Sequence, residues 1–262
     1  MLTARQPVVV LIVCLLTFPL NTASHIRRFA APLGTPETLP ILQQSLVAMG
    51  GVVPSDSSAT GMVATVAGSE SESGTIQILT RSTDQSSEQY QTASGFTRVY
   101  SRGQASIISG STLNRLSVES ALTAQSSYFP LPLLVAASSN PDFAFAHVGL
   151  ETLDGTAVNH LKFWNTFASI PDLQSLSDSS TRDIWLDASS ALPQRISFTR
   201  PSSDGSGSGI SVDVWFSDYR TVNGILYPYS IRVSLNGTPW ATISIQNVTF
   251  NSGLSDSSFP VQ

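Results

Sequence analysis

The chain has 262 residues, of which 41% are hydrophobic and only 12% charged, with a formal net charge of −5. Soluble domains carry about 25% charged residues; here serine stands in for them, at roughly one residue in six, and Lys162 is the only lysine. This balance is too apolar for disorder and too poor in clustered Lys and Arg for nucleic acid or a polybasic membrane contact. The length holds one substantial core or two small ones.

Arg5 precedes an unbroken apolar run from Val8 to Leu16, and Thr22-Ala23-Ser24 supply a small-residue exit. A basic start, about 13 apolar residues and a small-residue exit make a secretory signal, and the run is shorter than the roughly 20 residues that cross a bilayer. Residues 1–24 are read as a signal peptide cleaved after Ser24, with Ala23 or Ala30-Ala31 as other positions and an uncleaved anchor as the alternative. Cys14 lies inside the run behind Val13, which does not suit a lipoprotein signal, so the mature protein has no thiol and no disulfide. Residues 25–34 are a linker, and 35–258 are read as a single domain.

Thr35-Pro36-Glu37 reads as a helix start, with a Thr cap, Pro in the first turn and an early acid. Leu39, Leu42 and Leu46 share one face, and Gly50-Gly51 end the helix, giving 36–49. Ser55 to Ser58 read as a loop. Met62–Val66, Thr75–Thr80 and Gln89–Arg102 then read as strands of a meander, separated by Ser, Gly and Asp. Leu116 to Gln125 has helical character. Phe129 to Ala137 is strongly apolar, with Pro130 and Pro132 at its start where a helix tolerates them. Residues 116–139 are expected as two short helices interrupting the sheet.

Strands resume at Phe143–Leu153 and Ala157–Phe163 across Asp154-Gly155, then Ile184–Asp187 and Arg195–Arg200 across Ser189-Ser190. A loop from Asp204 to Gly209 leads to Ile210–Phe216, a turn at Asn223-Gly224, Ile231–Leu235, a turn at Asn236-Gly237, and Ala241–Phe250. Asp-Gly and Asn-Gly are strong hairpin signals. Strict alternation gives the sheet two sides. Ile210, Val212, Val214 and Phe216 oppose Ser211, Asp213, Trp215 and Ser217, while Ile184 and Leu186 oppose Trp185 and Asp187. One face is aliphatic and must be covered; the helices offer the cover. The fold class is mainly β with a few helices (α+β), a long curved antiparallel sheet folded over them.

Catalytic chemistry finds no motif. G-x-S-x-G is absent, since Gly205-Ser206-Gly207-Ser208-Gly209 puts Gly where the nucleophile belongs, and no phosphate-binding glycine loop occurs. His147 and His160 lie on neighbouring strands, but a zinc site needs further ligands, so no metal and no cofactor is expected. Asp213 and Asp218 flank Trp215, with Asp187 nearby, and read as a solvated strand face rather than a glycosidase pair. Asn236-Gly237-Thr238 and Asn247-Val248-Thr249 match the glycosylation sequon, which matters only in a eukaryotic source. No enzyme is expected.

The series Ile184-Trp185-Leu186-Asp187, Leu192-Pro193-Gln194-Arg195-Ile196, Phe216-Ser217-Asp218-Tyr219-Arg220, Val222-Asn223-Gly224-Ile225 with Pro228, and Ile243 to Asn251 resembles the LolA-like superfamily of exported lipoprotein carriers and outer-membrane lipoprotein-sorting proteins. Gly149 to Gly155 is similar to its central hairpin, and the resemblance spans roughly 36–258. It implies a half-open antiparallel barrel round a hydrophobic cavity with a helical lid, export to the periplasm or cell envelope in a bacterium, and non-covalent sheltering of the acyl chains of a lipid or lipoprotein. Ile184, Leu186, Ile196, Phe198, Val212, Val214, Phe216, Val233, Ile243 and Ile245 would then line the cavity, and Leu131, Leu133 and Leu134 would belong to the lid. An aliphatic face of this kind suits a lined cavity and a filled core equally. The resemblance also implies a barrel arginine that latches the lid, for which Arg98 and Arg102 are the candidates. The rival reading is a monomeric protein-interaction or envelope-sensor module with a filled core, using Trp185 and Trp215 on the polar face toward envelope proteins.

Overall fold

Alternating aliphatic residues need a cover, and the chain supplies it by laying three helices inside one long sheet. The computed structural model describes residues 33–34, 37–201 and 209–261; the expected signal segment and residues 204–208 of the expected loop lie outside the described residues. The first half contains β1 (Leu33–Gly34), α1 (Thr38–Ala48), β2 (Asp56–Ala67), β3 (Glu70–Arg81), β4 (Gln85–Gln91), β5 (Thr97–Ser101), β6 (Gln104–Ser109) and β7 (Thr112–Arg115). Two helices follow, α2 (Val118–Leu122) and α3 (Pro130–Ser139). The second half runs β8 (Phe143–Leu153), β9 (Thr156–Asn165), β10 (Arg182–Asp187), β11 (Pro193–Arg200), β12 (Ile210–Val222), β13 (Ile225–Leu235) and β14 (Thr238–Phe250).

All fourteen strands form one sheet in the order β1-β8-β9-β10-β11-β12-β13-β14-β2-β3-β4-β5-β6-β7. The two halves are each a meander, joined where β14 pairs antiparallel with β2, as in Ile243 opposite Val63. The terminal strands β1 and β7 do not pair with each other, so the curved sheet stays open. Only β1 runs parallel to its neighbour, with Leu33 opposite Ala144. The expected hairpins are there: Asp154-Gly155, Asn223-Gly224 and Asn236-Gly237 each place both central residues at positive φ, the type I′ geometry that matches strand twist.

Three expectations shift. The first helix begins at Thr38 behind Glu37, which makes no side-chain cap bond. It ends in a Schellman turn, with Gly51 N–H donating to Leu46 O at 2.8 Å and Gly50 at φ +116° against the β12–β13 turn. The single strand expected over 89–102 is two, β4 and β5. The Thr92–Gly95 turn between them is pinned by Ser94, whose N–H and Oγ both donate to Glu72. Two further strands, β6 and β7, occupy 104–115, where the sequence shows no clear alternation.

The supposed loop at 55–58 is strand from Asp56 onward. Asp56 is 2% exposed, and it accepts hydrogen bonds from Ser252 N and Oγ (both 2.7 Å), Gly253 N and Leu254 N. Burial raises its pKa, but these donors outweigh burial and hold the carboxyl below its ordinary range. The carboxylate thereby ties the chain's end to the start of β2. Because the native value is lowered, this stabilisation is present above the ordinary carboxylate pKa of about 4 and lost as pH falls through the native value. Asp56→Asn should cost about 1–3 kcal/mol at pH 7. Denaturant melts of the two proteins should converge as the pH drops below about 4.

Candidate functional site

The inner face of the sheet carries the aliphatic positions of successive strands in register. Ile184 sits opposite Ile196, Ile196 opposite Val214, Val214 opposite Val233, and Ile231 opposite Ile243. Ile184, Leu186, Ile196, Phe198, Val212, Val214, Phe216, Val233, Ile243 and Ile245 all join one buried cluster, none more than 7% exposed. Leu131, Leu133 and Leu134 of α3 are part of that same cluster. All thirteen of these residues are thus packed among apolar neighbours. Leu133 also lines a cavity of about 160 Å³ beside Tyr100, Leu122, Phe143 and Arg182.

The covering helix explains this closure. Its sequence, Pro-Leu-Pro-Leu-Leu-Val-Ala-Ala-Ser-Ser, is apolar on almost every side, and a helix of that kind belongs in an interior. It packs against α1 as well as β8. Phe129, just before it, stacks on Tyr227 of β13 with ring centres 4.6 Å apart. The Tyr227 hydroxyl is fully buried and has no hydrogen-bond partner.

Beyond the aliphatic zone the inner face turns polar. Arg98 of β5 and Glu88 of β4 form a buried ion pair at 2.9 Å, and the hydroxyls of Tyr90 and Tyr128 meet at 2.5 Å. Burial lowers the pKa of Arg98, but the Glu88 carboxylate more than offsets it and leaves the guanidinium above its ordinary value. Burial, with the Glu88 charge nearby, pushes the Tyr128 phenol up. Arg182, first residue of β10, is 3% exposed and points inward with Ile184 and Leu186. It donates to Ser127 Oγ at 2.9 Å and Leu122 O at 3.3 Å, and lies 4.5 Å over the Phe198 ring.

Arg98 is spent on Glu88 within the wall, and Arg102 is exposed and paired with Asp256. Arg182 is the inward-facing arginine that hydrogen-bonds the segment leading from α2 into α3. Its parity with Ile184 and Leu186 is the sequence signal that could have found it. No carboxylate pairs with Arg182 among the described residues, and burial pushes its pKa down to about 10.

On the outer face, the two tryptophans are covered rather than free. His160, Trp185, Arg195, Trp215 and Arg232 stand opposite one another in a row across β9 to β13. His160 stacks on Trp185 at 4.4 Å, Arg195 lies 4.4 Å over Trp185 and 5.0 Å over Trp215, and Arg232 lies 5.7 Å over Trp215. Glu151 bridges His160 Nδ1 and Trp185 Nε1, and His160 Nε2 meets Asp183 at 2.8 Å. The carboxylates weighed as a catalytic pair do not converge. Asp213 is held by Arg195, Asp218 by Arg220, and Asp187 accepts from the Ser189-Ser190 turn. His147, one strand from His160, does not contact it; its Nε2 is buried without a partner.

A putative outer-membrane lipoprotein-sorting protein domain from Vibrio parahaemolyticus superimposes with a TM-score of 0.55 at 15% identity, covering 84% of this chain and 95% of that one. The fold is LolA-like. A LolA superfamily protein from Nitrosomonas europaea gives a TM-score of 0.52 at 14% identity over 84% of this chain and 96% of its own. A DUF1329 family protein from Desulfovibrio piger gives 0.54 at 14% identity, covering 85% and 98%. No protein-family model matches the sequence, and no curated protein matches it either. The chain thus shares an architecture with these proteins at an identity where only the fold is common.

Replacing Arg182 by Met keeps an unbranched apolar stem but removes every donor to Ser127 and Leu122 O. Arg182→Met should leave the strand signal in circular dichroism intact and speed limited proteolysis within 118–139. Unchanged cleavage there would mean that the apolar contacts of α3 hold the segment unaided.

Proposed function

We propose that this chain is an exported, non-enzymatic carrier that holds the acyl chain of a lipid or lipoprotein against the inner face of its sheet. Residues 1–24 act as the export signal, which places the mature domain 35–258 in the periplasm or cell envelope of a bacterium, working as a monomer. The observation that carries the reading is the pairing of a continuous aliphatic sheet face with one largely apolar helix, whose preceding segment is tied down by Arg182 at Ser127. The relation to a lipoprotein-sorting domain supports it.

In this arrangement the helix occupies the ligand's place. The ten sheet residues from Ile184 to Ile245 form the acyl-chain floor, and Leu131, Leu133 and Leu134 withdraw as the chain enters. Three buried leucines at about 1.5–3 kcal/mol each hold α3 down by roughly 5–9 kcal/mol, and an acyl chain gains about 0.8 kcal/mol per buried methylene. A chain must therefore bury roughly 6–11 methylenes before it replaces the helix. Long acyl chains bind and short ones do not. The unpartnered Tyr227 hydroxyl offers a donor to an ester or carboxyl oxygen entering the same space.

Mass spectrometry of the mature protein, purified without detergent from an exporting host, should reveal an acyl lipid at near-stoichiometric amount. Val214→Asp, in a variant that still folds, should abolish it, and palmitate should bind where hexanoate does not. Absence of lipid, with no uptake of a fluorescent long-chain fatty acid, would overturn the carrier. It would favour the rival reading, a protein-interaction module, which the close packing of the core already suits.

A further inference from the structure

The chain is acidic overall, yet its inner wall gathers positive charge. Arg98, Arg182 and Arg200 lie close enough to influence one another's protonation, and Glu88 is the one carboxylate among the described residues that pairs with any of them. Arg98 is committed to Glu88. Arg182 is committed to the neutral acceptors Ser127 and Leu122 O; Asp84 lines the same cavity without pairing with it. Arg200 is different. The residue is half-buried; its Nε is buried with no hydrogen-bond partner among the described residues, and it forms no ion pair among them.

Removing a guanidinium from water without an anion is expensive. Burial first, and then repulsion from Arg98, pushes the Arg200 pKa down to about 10. The orphaned Nε has a hydrogen bond still to donate. The space for one is present: a cavity of about 210 Å³ opens between Arg98 and Arg200, with Ile107, Leu116, Ala124 and Ile210 as its apolar wall. Ile210 shares its strand face with Val212 and Val214, so the apolar wall continues into the aliphatic floor. Two guanidiniums at one end of an aliphatic track form an amphiphilic site. The planar fork of an arginine suits a carboxylate or a phosphate.

We propose that the cavity between Arg98 and Arg200 receives an oxyanion, a carboxylate or phosphate at the head of an acyl ligand, with Arg200 as its principal partner. The inference rests on the carrier reading and adds the ligand's charge to it. Arg98, already paired, contributes field, and Arg200 contributes the hydrogen bonds. The acyl chain then leaves past Ile210 toward Val212.

Calorimetric titration of the full mature chain with oleate, oleyl alcohol and sodium phosphate tests this, because the first two share a chain and differ in the head. Oleate should bind at least about tenfold more tightly than oleyl alcohol, the size expected of a charge-assisted hydrogen bond. Arg200→Gln should reduce that preference to near unity while leaving the affinity for oleyl alcohol as it was, and Arg200→Lys should keep part of it. Should Arg200→Gln fail to fold, the wild-type comparison of the two heads decides alone. Equal affinities for both heads in the wild type would overturn the oxyanion site and leave the carrier standing. Failure of both amphiphiles to bind would overturn the carrier and this inference with it. Phosphate binding as tightly as oleate would assign the cavity to a free ion and overturn the headgroup.

Discussion

Every part of this structure answers to one constraint: a fourteen-stranded sheet with an aliphatic inner face cannot leave that face in water. Ile184, Ile196, Val214 and Val233 face inward side by side along a cross-strand line, and what they touch decides the state of the protein. In the structure they join the cluster that contains α3, a helix too apolar to stand in solvent itself. Helix and sheet are thus each other's shelter. Any acyl chain that binds there replaces one apolar partner with another, so the exchange can be near balance although each contact alone is strong.

The inward-facing arginines give this exchange its control. Apolar contacts are non-directional and would let the 118–139 segment slide, whereas Arg182 fixes it at Ser127 and Leu122 O. Arg200, set back on β11, leaves charge unspent at the edge of the same apolar track. The outer face has the opposite character. Its row from His160 through Trp185, Arg195 and Trp215 to Arg232 is filled by its own stacking and ion pairs, which tie β9 to β13 together.

The second meander was legible because its two periodicities agree. Alternation in Ile210 to Phe216 and the Asn223-Gly224 and Asn236-Gly237 turns mark both where strands run and which side is inner. The first meander was legible only in part, with β2 and β3 marked but β4 to β7 blurred or missed, for a physical reason. Its buried positions include Gln85, Ser86, Ser87 and Glu88, polar side chains that read as solvent-facing until partners such as Arg98 and Ser101 are in place. Trp185 shows the reverse case. Its parity puts it outside, yet His160 and Arg195 from the two adjacent strands reduce its exposure to 9%. Arg182 sits on the aliphatic parity, and its role depends on Ser127, far away in the chain, which no local pattern can announce.

The central claim is that α3 and a long acyl chain compete for one apolar surface. Hydrogen–deuterium exchange on the full mature chain, with and without saturating palmitate, tests it most directly. The account predicts faster exchange across 130–139 when palmitate is bound, with amides of β10 to β14 as protected as before. Palmitate that binds while 130–139 stays equally or better protected would contradict it, because helix and ligand would then occupy different places.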